Sequence, residues 1–303
     1  MRQTEIIPSY HVGYPNVVGY SVRNEDIPAK AIVLIIHGMA EHVERYSDMA
    51  NYLKDHGLIT YTFDLIGHGK SCFQNEKVGI IKSDDFFESL IECINQIYNY
   101  IRRTNGDLPI YLFAHSMGSM ISQSYLQKYP NHFDKVILSG TDLGSAKYKL
   151  LKFITKCSIR RNGMYSYSKL VNKLTIEFLD IKFKTKLGWL SVNKDNIEKY
   201  LNDPLCNETY PVGYFNSLAA HLIESKKDEN IKKIKLSKIL FITGIDDPVT
   251  NFSKSTKKIH KKNLNNGINA FIEIVPNARH EFFHEDDETN LKAFNTFVNF
   301  YLN

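Results

Sequence analysis

Short apolar runs alternate with longer amphipathic stretches along most of the chain. Residues 31–38, AIVLIIHG, are apolar at nearly every position and end in glycine. A strand buried on both faces reads this way, because helices cover each side of a parallel sheet. Residues 59–64 (ITYTFD), 109–116 (PIYLFAHS), 135–140 (KVILSG), 238–244 (KILFITG) and 269–275 (NAFIEIV) have the same character. Between them the apolar period lengthens. In 44–56, Tyr46, Met49, Ala50 and Leu53 share one helical face. In 86–103, Phe87, Leu90, Ile91, Ile94, Ile97 and Ile101 do the same. Residues 117–129 and 288–302 are similar. Strands and helices alternating at this spacing predict an α/β protein whose central sheet is mostly parallel.

The rhythm lapses between residues 145 and 225. No strand pattern occurs there, and helix-like text is broken at Gly163, Gly188, Pro204 and Pro211. The segment holds 13 basic and 7 acidic residues, a surplus larger than the whole chain's net charge of +5. A basic helical insertion over 145–225 is expected, dividing a core made of 1–144 and 226–303.

Composition narrows the class further. At 303 residues, 43% hydrophobic and 23% charged, the chain is globular and long enough to bury a full core. The four cysteines are too scattered for a disulfide scaffold or zinc module. The net charge is too mild to argue for nucleic acid, so no nucleic-acid partner is expected. No stretch reaches the roughly 18 apolar residues of a membrane span. The first residues, MRQTEIIPSY, carry no apolar run. A cytoplasmic protein is expected.

Chemistry concentrates after the predicted strands. Ala114-His115-Ser116-Met117-Gly118 sits between an apolar run and a helix-like stretch. It matches the G-x-S-x-G strand-turn-helix, with alanine in place of the first glycine. So sharp a turn needs small residues two places either side of the serine, and it lifts the hydroxyl above the sheet. A serine hydroxyl becomes nucleophilic only when a histidine takes its proton and a carboxylate orients that histidine. After 238–244 come Asp246 and Asp247; after 269–275 comes His280. All lie where catalytic groups gather, at the carboxyl ends of parallel strands. The developing oxyanion needs backbone N–H donors. Met117, after the serine, and Met39, after Gly38 in the first loop, are placed to supply them.

These blocks resemble one family. HGMAEHVERYSDMANYL (37–53), YTFDLIGHGKS (61–71), AHSMGS (114–119), TGIDDPV (243–249) and NARHEFFHE (277–285) are similar, in order and spacing, to the monoglyceride lipase and lysophospholipase branch of the α/β-hydrolases. The resemblance implies Ser116 as nucleophile, Asp247 rather than Asp246 as orienting acid, His280 as base, and oxyanion amides at Met39 and Met117. It implies a helical cap where the basic insertion falls, ending near Asn202–Cys206. The implied substrate is a lipid ester, a monoacylglycerol or a lysophospholipid, cleaved without metal or organic cofactor. Glu41, His42, Arg45 and Tyr46 either contact substrate or, as is more usual in that branch, brace the oxyanion loop from behind, and Asp64, Gly67, His68 and Gly69 are expected to form a tight loop beside the site.

Other readings stand beside this one. His280-Glu281-Phe282-Phe283-His284 is H-E-x-x-H, a zinc-protease pattern if helical. Against it, the segment follows a strand and Pro276, and His284 with its acidic neighbours reads as the solvated start of the last helix. His115 is expected to pack away from the substrate. A small-ester carboxylesterase, an aminopeptidase, or an inactive binding protein would use the same fold. Lys147, Lys149, Lys152, Lys156, Arg160 and Arg161 interleave with Leu150, Leu151, Phe153 and Ile154. That pattern suits either a solvated helix face or peripheral contact with an anionic membrane. Trp189 reads as an interfacial anchor or as core.

Overall fold

The computed structural model describes residues 1–8, 14–143, 146–183 and 185–303. Eight strands form one sheet: β1 (Arg2–Ile7), β2 (Val17–Val22), β3 (Ala31–Ile36), β4 (Leu58–Phe63), β5 (Ile110–His115), β6 (Lys135–Ser139), β7 (Lys238–Gly244) and β8 (Ala270–Val275). Their spatial order is β1-β2-β4-β3-β5-β6-β7-β8. Strands β3 to β8 run parallel, and β2 runs antiparallel to both β1 and β4. The six apolar runs are the six parallel strands.

Each side of the sheet is covered. Ile32, Leu34 and Ile36 of β3 face one core with α2 (Phe86–Asn105) and α3 (Met117–Lys128). Ala31, Val33 and Ile35 face the other, with α1 (Ser47–Lys54) and α10 (Asp287–Leu302). All six side chains of β3 are buried, so truncating any large one would cost about 2–5 kcal/mol. Helix α2 begins where the Asp85 carboxylate accepts from the amides of Phe87 and Glu88.

The insertion carries α4 (Ala146–Asn162), α5 (Lys169–Thr175), a 3-10 turn (Glu177–Lys182), α6 (Lys194–Asn202) and α7 (Val212–Ser225), with no strand among its described residues. Its expected boundary, at Gly144 and Ser145, lies outside the described residues. Leu187, Trp189, Leu190, Tyr200 and Cys206 give the insertion a small core of its own. Helix α7 packs on α4 and also on α2 and α3, which ties the insertion to the main layer. Two further helices follow: the short α8 (Asp228–Ile231) before β7, and α9 (Lys254–Asn265) before β8. Among the described residues no helix is long and apolar enough to cross a membrane.

Candidate active site

Ser116 occupies the turn between β5 and α3 with φ of 51°, a left-handed conformation that a residue with a Cβ adopts only under constraint. Its N–H donates to Ser139 O at 2.8 Å, which anchors the turn to β6. Space is tight around it. A Cβ at Gly118 would lie 2.4 Å from His37 O. Ala114 is fully buried in β5, so its extra methyl is accommodated in place of glycine.

The loops after β7 and β8 bring two more side chains to this turn. His280 Nε2 lies 2.8 Å from Ser116 Oγ, and His280 Nδ1 lies 2.9 Å from Asp247 Oδ2. The carboxylate is held in turn: Oδ2 accepts from Thr243 Oγ1 at 2.9 Å and Oδ1 from Val249 N at 2.8 Å. Asp247 and His280 are both buried. Burial alone would pull the His280 pKa down, but the charge and hydrogen bond of Asp247 outweigh it and the pKa is raised. Gly140 makes room for the ring; a Cβ there would sit 2.8 Å from His280 Cε1. Asp246 is exposed and donates its own N–H to Ala278 O, so it belongs to the turn.

Met39 and Met117 flank the serine. Met117 is the first residue of α3, where amides have no partner inside the helix. Across the loop after β3, Gly38 N–H donates to the Glu41 carboxylate and Ala40 N–H donates to Tyr210 Oη at 2.8 Å. Among the described residues the Met39 N–H between them has no hydrogen-bond partner. The two amides expected from the sequence are thus uncommitted donors in segments that meet at Ser116, and uncommitted backbone donors are what an oxyanion hole requires.

Behind the loop lies the polar network expected from Glu41 to Tyr46. Tyr46 Oη donates to Glu41 at 2.8 Å, and Arg45 reaches both Glu41 and Glu281. His42 Nε2 pairs with Asp203 of the insertion at 2.7 Å. Asp64 closes its own loop, accepting from Val43 N and Lys70 N. His115 is buried beside His280, with ring centroids 4.6 Å apart, and its Nδ1 meets Ser139 Oγ at 3.0 Å. Burial holds its pKa well below the ordinary histidine value.

Two open readings close and one expectation changes. The H-E-x-x-H segment is no helix: Phe282–His284 form a 3-10 turn, His280 has both ring nitrogens engaged, and Glu281 pairs with Arg45. Glu285 is not a solvated helix start. It is buried and accepts from the amides of Arg279, Val192 and Asn193 and from the Ser191 hydroxyl, because the chain turns inward there to lock the histidine loop onto the insertion. Trp189 is buried, with its ring 5.3 Å from that of His280, so it walls the site rather than meeting an interface.

A cavity of about 350 Å³ opens above Ser116. Met120, Leu151, Ile154, Leu179, Leu187 and Phe215 line its apolar body. Leu150, Leu174 and Phe178, all exposed, rim it. Lys147 and Glu208 are the only charged residues among the described lining. Lys147 is already paired with Asp142 at 2.7 Å.

A serine in a strained strand-to-helix turn, joined through histidine to a buried aspartate at the carboxyl edge of a parallel sheet, is the architecture of an α/β-hydrolase. The family profile described as serine aminopeptidase, S33 matches residues 27–287, and the chain belongs to that family. It is 27% identical over 264 residues to a monoglyceride lipase homolog of monkeypox virus, covering 86% of this chain and 84% of the viral one. It is 25% identical over 289 residues to a probable lysophospholipase L2 of Haemophilus influenzae, covering 89% and 84%. In fold it matches a thermostable carboxyl esterase from Bacillus coagulans crystallised with glycerol, at a TM-score of 0.91, 22% identity and coverage of 99% and 97%.

Proposed function

We propose that the chain hydrolyses carboxylic esters of single-chain lipids through a serine acyl-enzyme, with monoacylglycerols as the preferred class. The observation that carries this is the cavity above Ser116: apolar along its length, and without an unpaired cation among its described lining for a phosphate to meet. That favours an uncharged glycerol head over a lysophospholipid. The similarity to lipases and esterases supports the same reaction class.

In the proposed reaction His280 Nε2 takes the proton of Ser116 Oγ as the oxygen bonds to the ester carbonyl carbon. The carbonyl oxygen becomes an oxyanion and receives hydrogen bonds from the amides of Met39 and Met117. Asp247 holds the resulting imidazolium. The tetrahedral adduct collapses, the C–O bond to the alcohol breaks, and the alkoxide leaves with the proton from His280. Water, deprotonated by the same nitrogen, then attacks the acyl group and releases the fatty acid and Ser116. Residues 145–225 act as the cap that shapes the acyl site. Its exposed rim of Leu150, Leu174 and Phe178, with Lys149 and Lys173 on the same helices, rests on an anionic membrane to collect insoluble substrate.

Glu208, beside the cavity, keeps an aminopeptidase reading in view, because a carboxylate there can hold a substrate ammonium. Fatty-acid release from monoacylglycerols, lysophospholipids and p-nitrophenyl butyrate, beside hydrolysis of an amino-acid p-nitroanilide, tests all of these with Ser116→Ala as control. The expected result is fastest release from monoacylglycerol and a loss of about 10⁶-fold in the variant. Faster cleavage of lysophospholipid or of the anilide overturns the head-group assignment. Activity surviving in Ser116→Ala overturns the mechanism.

A further inference from the structure

We propose that Tyr200 and Tyr210, both supplied by the insertion, are positioning residues that hold the oxyanion-hole amide of Met39 in place through the backbone of Ala40; the inference rests on the hydrolase reading above. Ala40 has φ of 59°, and the loop would relax away from that conformation if nothing held it. Three bonds from the insertion hold it. Its N–H donates to Tyr210 Oη at 2.8 Å. Its carbonyl accepts from Tyr200 Oη at 2.8 Å and from Asn207 N at 3.1 Å. On the other side of Met39, His37 Nδ1 donates to Gly38 O at 2.7 Å, and Glu41 accepts from Gly38 N–H. Both peptide groups next to Met39 are therefore fixed, and its own N–H is left free to point at the reacting carbonyl.

Both tyrosines are closely packed. Tyr210 is buried against His68 and Tyr214, with ring centroids 5.5 and 4.6 Å away, and Gly79 lacks the Cβ that would lie 2.3 Å from its ring. Tyr200 is buried under the Arg45 guanidinium, 4.9 Å from its centroid. A buried phenol that only packed would leave its hydroxyl unsatisfied; here both hydroxyls meet the same residue of the oxyanion loop. The insertion thus takes part in building the oxyanion hole as well as in selecting substrate.

The test uses the full chain with Tyr210→Phe, Tyr200→Phe and the double substitution, which keep the rings and remove only the hydroxyls. Removing an oxyanion donor outright costs roughly 10²- to 10³-fold in kcat. Loosening one should cost about 10-fold in Tyr210→Phe, about 3-fold in Tyr200→Phe because Asn207 still donates, and up to about 10²-fold in the double variant, with KM for p-nitrophenyl butyrate little changed. Affinity for an alkyl trifluoromethyl ketone, which forms a tetrahedral oxyanion on Ser116, should fall by the same factors. Affinity for 1-decanol, which fills the cavity and forms no oxyanion, should not move. Undiminished kcat in the double variant overturns the clamp, and so does a parallel loss of ketone and decanol binding, which marks a merely structural role. A wild-type chain that forms no ketone adduct overturns the hydrolase reading itself, and the clamp with it.

Discussion

Arg45 and Glu281 form a buried ion pair across 236 positions of sequence. Arg45 lies just past the loop of residues 38–40, and Glu281 follows His280. The pair therefore ties the loop of Met39 to the loop of His280. Glu41 shares the same guanidinium, and its own pKa is raised by burial and by Glu281. Burial works against the charge of Arg45, yet Glu281 and Glu41 outweigh it and raise its pKa.

Removing that guanidinium leaves two buried carboxylates without a cation. Arg45→Met should cost about 3–5 kcal/mol of unfolding free energy by denaturant titration. Glu281→Gln should cost less, because Arg45 keeps Glu41 and the amide still accepts from Asn196. Equal losses in the two variants would contradict this ordering.

The pH profile follows from His280. As a base it works only when neutral, and its folded pKa is raised above the ordinary histidine value. Activity should therefore fall as pH drops through that raised value, with the acid limb of kcat/KM displaced above the ordinary histidine value. Asp247→Asn removes the raising charge, so the limb should move to lower pH. The rate should also drop about 10⁴-fold, since the ring loses the partner that fixes its tautomer. A limb that stays in place would assign the titration to another group.

Chain-length preference should reside in the cavity wall. Leu179→Trp fills space that a long acyl chain would occupy. Hydrolysis of long-chain monoacylglycerol should fall at least about tenfold while p-nitrophenyl butyrate is cleaved nearly as before, since each buried methylene contributes about 0.8 kcal/mol. Equal losses on both substrates would mean the acyl chain lies elsewhere.

Delivery from a membrane predicts a separable effect. Phe178→Ser and Leu150→Ser remove exposed apolar side chains from the rim. Co-sedimentation with anionic vesicles should weaken several-fold, and more so at high salt, while the soluble butyrate ester is still cleaved. Unchanged vesicle binding would detach the rim from the membrane.

A metal requirement is not expected. The H-E-x-x-H histidine at 280 already spends both nitrogens on Ser116 and Asp247. Dialysis against a chelator should leave ester hydrolysis unchanged; its loss on dialysis and return with zinc would revive the zinc reading.

How much of this is legible in the residue order depends on how local the signal is. Five of the six parallel strands, β3 to β7, announce themselves because both faces of each are buried, which makes their sequences largely apolar. The sequence expectation of two buried faces fails for β8, which lies at the sheet edge with Phe271 exposed, though its apolar residues still mark it as a strand. β1 and β2 carry no such signal. Most of RQTEII is exposed at the sheet edge, and VVGYSV carries Gly19, where a Cβ would lie 1.9 Å from Thr62 O of the neighbouring strand. Helix α9 is silent for a similar reason: KSTKKIHKKNLN buries only Thr256, Ile259 and Asn263. Ser116, Asp247 and His280 are readable because each follows a strand whose carboxyl end is set by its own sequence. Their assembly within hydrogen-bond distance, the inward turn of Glu285, and the grip of Tyr200 and Tyr210 on Ala40 belong to the tertiary structure. The contacts of Ala40 with the insertion join segments up to 170 residues apart, and nothing in the spacing of residues along a chain encodes which distant side chains will meet when the insertion packs down on the sheet.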